Sequence, residues 1–298
     1  MGAMTEAVND RKIFRRVLLS PVKRRWAYLL LPVLMVLLIV FILPMINLGL
    51  KSLHPYTGLG SEGSELTLSN YIAFLSQPFY WQLLGWTSIL GVIVVACSLV
   101  FALPLSYFLA RTKSRWKQFF LLLIIAPMLV SVVIRNLGWL PILGQNGLVN
   151  WIWLNADLGK EPLHLLDNYI GVVIGLVHAL LPFMVLTLIS VIQRIPPELE
   201  EASISLGVKP LGTFLRIVLP LARPGIIAGS LLVFTLTISA YTTPAVMGGG
   251  RVIVVSTYIQ QQVSTLLNYP NGATVSMVLL ALVVLLSIAS LRLGKTEA

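Results

Sequence analysis

Long apolar stretches alternate with short polar connections along this chain, and their lengths set its class. A helix needs about 20 residues to cross the hydrocarbon of a bilayer. Six stretches are long enough, at 28–50, 83–110, 119–143, 169–192, 224–246 and 273–291. Their spacing leaves no room for a separate soluble domain. The expected fold is an all-α polytopic membrane protein, with one six-helix bundle over 28–293, a basic tail at 1–27 and a short tail at 294–298. Small residues recur every four positions within the spans, as in Ser98, Ala102, Ser106 and Ala110, in Gly171, Gly175 and Ala179, and in Gly225 and Gly229. Such rows let helix backbones approach closely where lipid supplies no hydrophobic drive for association.

A polar island at 193–223 separates the fourth and fifth stretches and carries Glu198, Glu200, Glu201, Lys209, Arg216 and Arg223. Pro196-Pro197 suits a helix start, and the three acidic residues suit its positive N-terminal end. Leu199, Ala202/Ser203 and Leu206 recur at helical spacing and predict one narrow apolar face. Gly207 suits a left-handed helix end. A second short helix is predicted from Pro210, stopped by Pro220. So small a helix–turn–helix cannot bury its own apolar face and requires a partner surface. The spacing Glu201-Ala202-Ser203-x3-Gly207-x9-Ile217-x-Leu219-Pro220 resembles the cytoplasmic coupling motif of ABC importer permeases. In that motif a Glu-Ala-Ala triplet precedes Gly and then Ile-x-Leu-Pro, so Ser203 stands at an Ala position. The competing reading is an ordinary connecting helix.

Composition agrees with the apolar pattern: 57% of the 298 residues are hydrophobic, 11% are charged and the mean hydropathy is +0.90. The net charge of +10 is explained by topology. Seven Lys/Arg precede Trp26, four lie in 111–117, four in 193–223 and two in the C-terminal tail, against Lys51, Arg135, Lys160 and Arg251 elsewhere. Seventeen against four predicts cytoplasmic termini and a cytoplasmic 193–223 loop in a bacterial inner membrane, with contact to membrane lipids. No folded basic face exists to suggest nucleic acid. The long basic N-terminal region and full-length first span do not resemble a cleaved signal, and Glu6 breaks a myristoylation pattern at Gly2. Cys97, the only cysteine, lies inside the second span and is read as a packing residue.

Polar residues inside or beside the spans are the candidates for a route. Thr235, Ser239 and Thr242 share one helical stripe, with Ser230, Thr237 and Tyr241 on a neighbouring one, ahead of Gly248-Gly249-Gly250. They read either as a pathway lining or as hydroxyls bonded to their own helix. Arg135, Asn136 and Trp139 sit near the outer end of the third span, as pathway or interfacial groups. His178 reads as a neutral histidine hydrogen-bonded within the bundle, with a functional role as the other reading. Asp167 is expected to cap the fourth span. Trp139, Trp151 and Trp153 suit an interfacial aromatic belt.

Catalytic and metal-binding spacings are missing from the sequence: His54, His164 and His178 are scattered, and no phosphate-cradling Gly-x4-Gly-Lys-Ser/Thr occurs. An ATP-driven transporter would therefore need its ATPase on another chain. A secondary transporter would need intramembrane carboxylates and usually an internal repeat, and neither is apparent; it remains the less favoured alternative.

Further segments resemble one branch of the importers, the spermidine/putrescine permease family. They are Ile134-Arg135-Asn136-Leu137-Gly138-Trp139, Leu143-Gly144-Gln145-Asn146-Gly147-Leu148-Val149-Asn150 and Ser239-Ala240-Tyr241-Thr242-Thr243-Pro244-Ala245. The resemblance implies a non-enzymatic permease paired with a second permease subunit, as a heterodimer rather than a homodimer, with two ATPase subunits and a periplasmic or lipid-tethered binding protein. No cofactor is expected on this chain, and ATP and Mg are expected on the ATPase. It implies ATPase coupling through Glu198, Glu200, Glu201, Ala202, Ser203, Gly207, Ile217, Leu219 and Pro220. Polyamines are the implied solute, with thiamine, ferric iron and phosphonate as alternatives within the same architecture. A dication favours carboxylates, yet no Asp or Glu lies within the six stretches. Aromatic faces at Trp139 and Tyr241 could substitute through cation–π contact.

Overall fold

The computed structural model describes residues 21–58 and 60–293, with side chains described for 32–58 and 60–288. Most of the basic tail, including Arg11, Lys12, Arg15 and Arg16, and the tail at 294–298 lie outside the described residues.

The main core is built by three helices, the second, fourth and fifth spans. The second span is α3 (Pro78–Arg111), following α1 (Pro21–Ser52), a small hairpin of β1 (Tyr56–Gly58) and β2 (Ser61–Glu62), and α2 (Ser69–Ser76). Its buried positions Leu83, Thr87, Leu90, Val94, Ser98, Ala102, Ser106 and Leu109 recur at three- and four-residue intervals. That stripe faces α7 (Tyr169–Ile192), which begins and ends at the predicted residues. Between them run α4 (Lys117–Leu129), α5 (Val132–Leu143) and α6 (Leu148–Asn155). After α7 come α8 (Pro197–Ser205), α9 (Pro210–Thr213), a π-helical turn at Phe214–Val218, α10 (Leu219–Leu221) and α11 (Arg223–Ser239). The chain closes with α12 (Thr242–Met247), α13 (Val255–Ser264) and α14 (Tyr269–Leu293). Glycines set the closest approaches: a β-carbon at Gly175 would lie 2.4 Å from Met247 Sδ, and one at Gly229 would lie 2.7 Å from Met184 Sδ.

Among the described residues four helices are long and apolar enough to cross a membrane, and up to six crossings result if each of two bent helix pairs counts as one. The third expected span is not continuous. It breaks between α4 and α5 with a bend of 101°. Arg135, placed one turn into α5, donates from its guanidinium to the carbonyls of Pro127 and Val130 and so satisfies backbone groups that the break exposes.

The fifth span also ends earlier than its apolar run suggests. Helix α11 stops at Ser239, and Ala240 takes an extended conformation (ψ 121°). Pro244 has no N–H to offer the Ala240 carbonyl four residues back. That carbonyl instead accepts from the Ser256 hydroxyl at 2.6 Å. At the other end Pro220 does not stop the second loop helix: helical structure continues through Leu221. The turn before it widens to π geometry, with the Leu219 N–H bonding the Phe214 carbonyl.

The expected cap on α7 shifts by one residue. Asn168 occupies the N-cap, its side chain accepting from the Ile170 and Gly171 amides at 2.8 and 3.1 Å. Asp167 has a left-handed backbone (φ 59°) and donates its amide to the Met247 carbonyl at 3.0 Å.

Candidate coupling and translocation site

The predicted helix–turn–helix forms, and one ion pair ties it to the bundle. Helix α8 starts at Pro197, and the chain turns at Gly207 with φ +85°. The Gly207 and Val208 amides return to the carbonyls of Ile204 and Ser203 at 2.9 and 3.2 Å, satisfying the helix end. Glu200, only 8% exposed, points inward. It accepts from Arg111 Nε at 2.8 Å and from the Tyr107 hydroxyl at 2.6 Å, both at the end of α3. Arg111 Nη2 also donates to the Ile195 carbonyl at 3.0 Å, so one guanidinium holds both the loop entrance and α8.

This corrects one sequence expectation, the apolar face of α8. Glu200 is engaged within the chain, where its buried carboxylate requires a cationic partner. Ser203 also faces inward, where its hydroxyl meets that of Thr213 at 2.9 Å, and does not share an apolar face with Leu199 and Leu206. Glu198, Glu201, Ala202 and Gly207 stay exposed. The outward surface is apolar for a polar loop: Leu206 is 85% and Leu211 70% exposed, with Leu199 and Ile204 beside them. Ile217, Leu219 and Pro220 are half-buried beneath it. Neither Arg111, Tyr107 nor Thr213 carried a sequence signal, since each looks like an ordinary span-end or loop residue.

The candidate pathway residues divide. Thr237 is buried and donates to the Val233 carbonyl of its own helix at 2.8 Å, so it faces no opening. Asn136 is fully buried and donates to the Thr243 hydroxyl at 3.1 Å. Arg135 is occupied by the break before α5. Trp139 donates from Nε1 to His178 Nδ1 at 3.2 Å, pairing two sequence candidates inside the bundle. Thr235 and Thr242 are half-exposed and Ser239 exposed. Tyr241 lines a cavity of about 350 Å³, with Pro244, Thr257, Gln260, Gln261 and Thr265. Its ten lining residues are all uncharged. It opens at the end of α11 opposite the coupling loop. Among the described residues no three His, Cys, Asp or Glu come together to hold a metal.

A multi-helix membrane bundle with broken spans and a protruding, anchored helical pair defines a transport permease. The chain belongs to the family of binding-protein-dependent transport system inner membrane components, whose model matches residues 102–293. It is 32% identical over 232 residues to the spermidine/putrescine transport system permease protein PotB of Haemophilus influenzae, covering 77% of this chain and 80% of that one. The PotB protein of Escherichia coli is 34% identical over 213 residues, covering 72% and 77%. A bacterial ABC transporter involved in import of the acidic polysaccharide alginate has a chain of the same fold, with TM-score 0.72, 17% identity, and coverage of 93% of this chain and 98% of that one.

Proposed function

We propose that this permease moves polyamines, driven by ATP hydrolysis on partner subunits. The protruding α8–α9 pair carries the coupling half of this reading. Its outward leucines are left in water by the chain itself, while Arg111 and Glu200 hold it at a set orientation. Such a face fits a cleft on an ATPase, with Glu201 exposed to pair with a basic group there. The full assembly contains a second, non-identical permease, two ATPases that bind ATP and Mg, and a solute-binding protein on the opposite side. Both termini and the coupling loop face the cytoplasm.

The solute class rests on the relatives, because a shared fold serves different solutes. A dication would meet no carboxylate in the cavity beside Tyr241. Recognition there would come from the tyrosine face and the carboxamides of Gln260 and Gln261, with a flexible chain replacing its water shell by oxygen acceptors. The test is uptake of labelled putrescine and spermidine by cells lacking polyamine import, with this chain co-expressed with its partner subunits. Saturable uptake that is competed by polyamines, and not by thiamine, phosphonate or ferric iron, is expected. Uptake of one of those three in place of polyamine would overturn the assignment while leaving the permease architecture intact.

A further inference from the structure

We propose that the turn between α3 and α4 forms a binding site for an anionic phospholipid of the membrane leaflet on the coupling-loop side. The Arg111–Glu200 contact places this turn at the same end of the bundle as α8. A cleft of about 450 Å³ opens there, walled by Phe108, Trp116, Phe119 and Phe120 with Thr112, Ser114 and Lys117 at its polar edge. The four rings stand edge to face in a continuous row, with centroids 6.1 Å apart for Phe108–Phe120, 6.0 Å for Phe119–Phe120 and 5.9 Å for Trp116–Phe119. Such a wall is rigid and apolar.

Charge selects the occupant. Arg111 is spent on Glu200, but Lys113, Arg115 and Lys117 form no ion pair with any described residue. Lys117 therefore stands at the polar edge of an apolar cleft, with Lys113 and Arg115 on the same turn. The complementary ligand has an anionic head and an apolar tail and lies in the bilayer plane. An anionic phospholipid meets all three conditions. A soluble anion would leave the aromatic wall in water, and a neutral lipid would leave the cations without a counter-charge.

The site rests on the permease reading only for which leaflet it faces. Trp116 supplies the probe, in the purified full complex reconstituted in nanodiscs. Brominated phosphatidylglycerol and brominated phosphatidylcholine are compared as quenchers, and the Trp116 signal is taken as the difference between the native chain and Trp116→Phe. Preferential quenching by the anionic lipid is expected. Each of Lys113→Gln, Arg115→Gln and Lys117→Gln should weaken the preference roughly fivefold, whereas Lys117→Arg should preserve it. Equal quenching by both lipids would reduce the cleft to ordinary annular contact and overturn the proposal. Quenching by neither, with a cysteine at Ser114 cross-linking to a partner chain, would make the cleft a subunit interface and overturn it equally. A reversed topology would instead show as external labelling of a cysteine at Ser205 and would leave the lipid preference standing.

Discussion

Asn136 and Thr243 lie 107 residues apart and share a buried hydrogen bond of 3.1 Å between α5 and α12. Each belongs to one of the segments that resemble the polyamine permeases, so those segments meet as one structural clamp at the end of the bundle opposite the coupling loop. Asn150 extends it, donating to the carbonyls of Gly144 and Leu163 and accepting from the Leu163 amide. Asn136→Leu should lower stability by about 1–3 kcal/mol, since Thr243 is left buried without its partner. Pairing it with Thr243→Val should recover part of that loss in thermal melts of the purified complex. A double variant no better than the single one would show that the two side chains act independently.

Removing Arg111 should be worse than neutralising Glu200. Arg111→Ala leaves a buried carboxylate without its cation, a loss of about 3–5 kcal/mol for a buried pair, whereas Glu200→Gln can still accept from Tyr107. The expected outcome is poor recovery of the Arg111→Ala complex and near-normal recovery of Glu200→Gln with reduced transport. Equal recovery of both would deny the pair its anchoring role.

Gly207→Val should abolish transport and loosen ATPase attachment, with Glu201→Ala milder. No atom lies within 4 Å of a β-carbon placed at Gly207, so the obstacle is the φ of +85° and not space. Both proteins should insert at near-normal levels. Retention of a full ATPase complement and normal substrate-stimulated hydrolysis by Gly207→Val would remove α8 from the coupling role.

Tyr241→Ala should reduce uptake while leaving assembly and basal ATP hydrolysis unchanged, because its ring lines a cavity and is 43% exposed. Thr237→Val, at a hydroxyl bonded only to its own helix, should leave uptake nearly intact. The reverse ranking would move the route to the other side of α11.

Orientation can be read by cysteine labelling in a Cys97→Ala background. Ser205→Cys should resist an impermeant thiol reagent in intact cells and Ser64→Cys should react, both positions being exposed on the protein. Labelling at Ser205 alone would reverse the assignment.

The sequence by itself determined the membrane class, the limits of α7 and the helix–turn–helix around Gly207. Each follows from local chemistry: apolar length, proline at a helix start, and a glycine at positive φ. The break in the third span was not legible from apolar length, because Leu129, Val130 and Val132 continue across it, and the apolar run of the fifth span hid where its helix stops. Both depend on where a freed carbonyl finds a distant donor, Arg135 in one case and Ser256 in the other. The same reason separates Glu200 from Glu201. The two are adjacent and chemically alike, and only the packing of α8 against the end of α3 turns one carboxylate inward to Arg111 and leaves the other in water. Helical periodicity places residues on faces, but which face is covered is decided by the neighbour, and that information lies elsewhere in the chain.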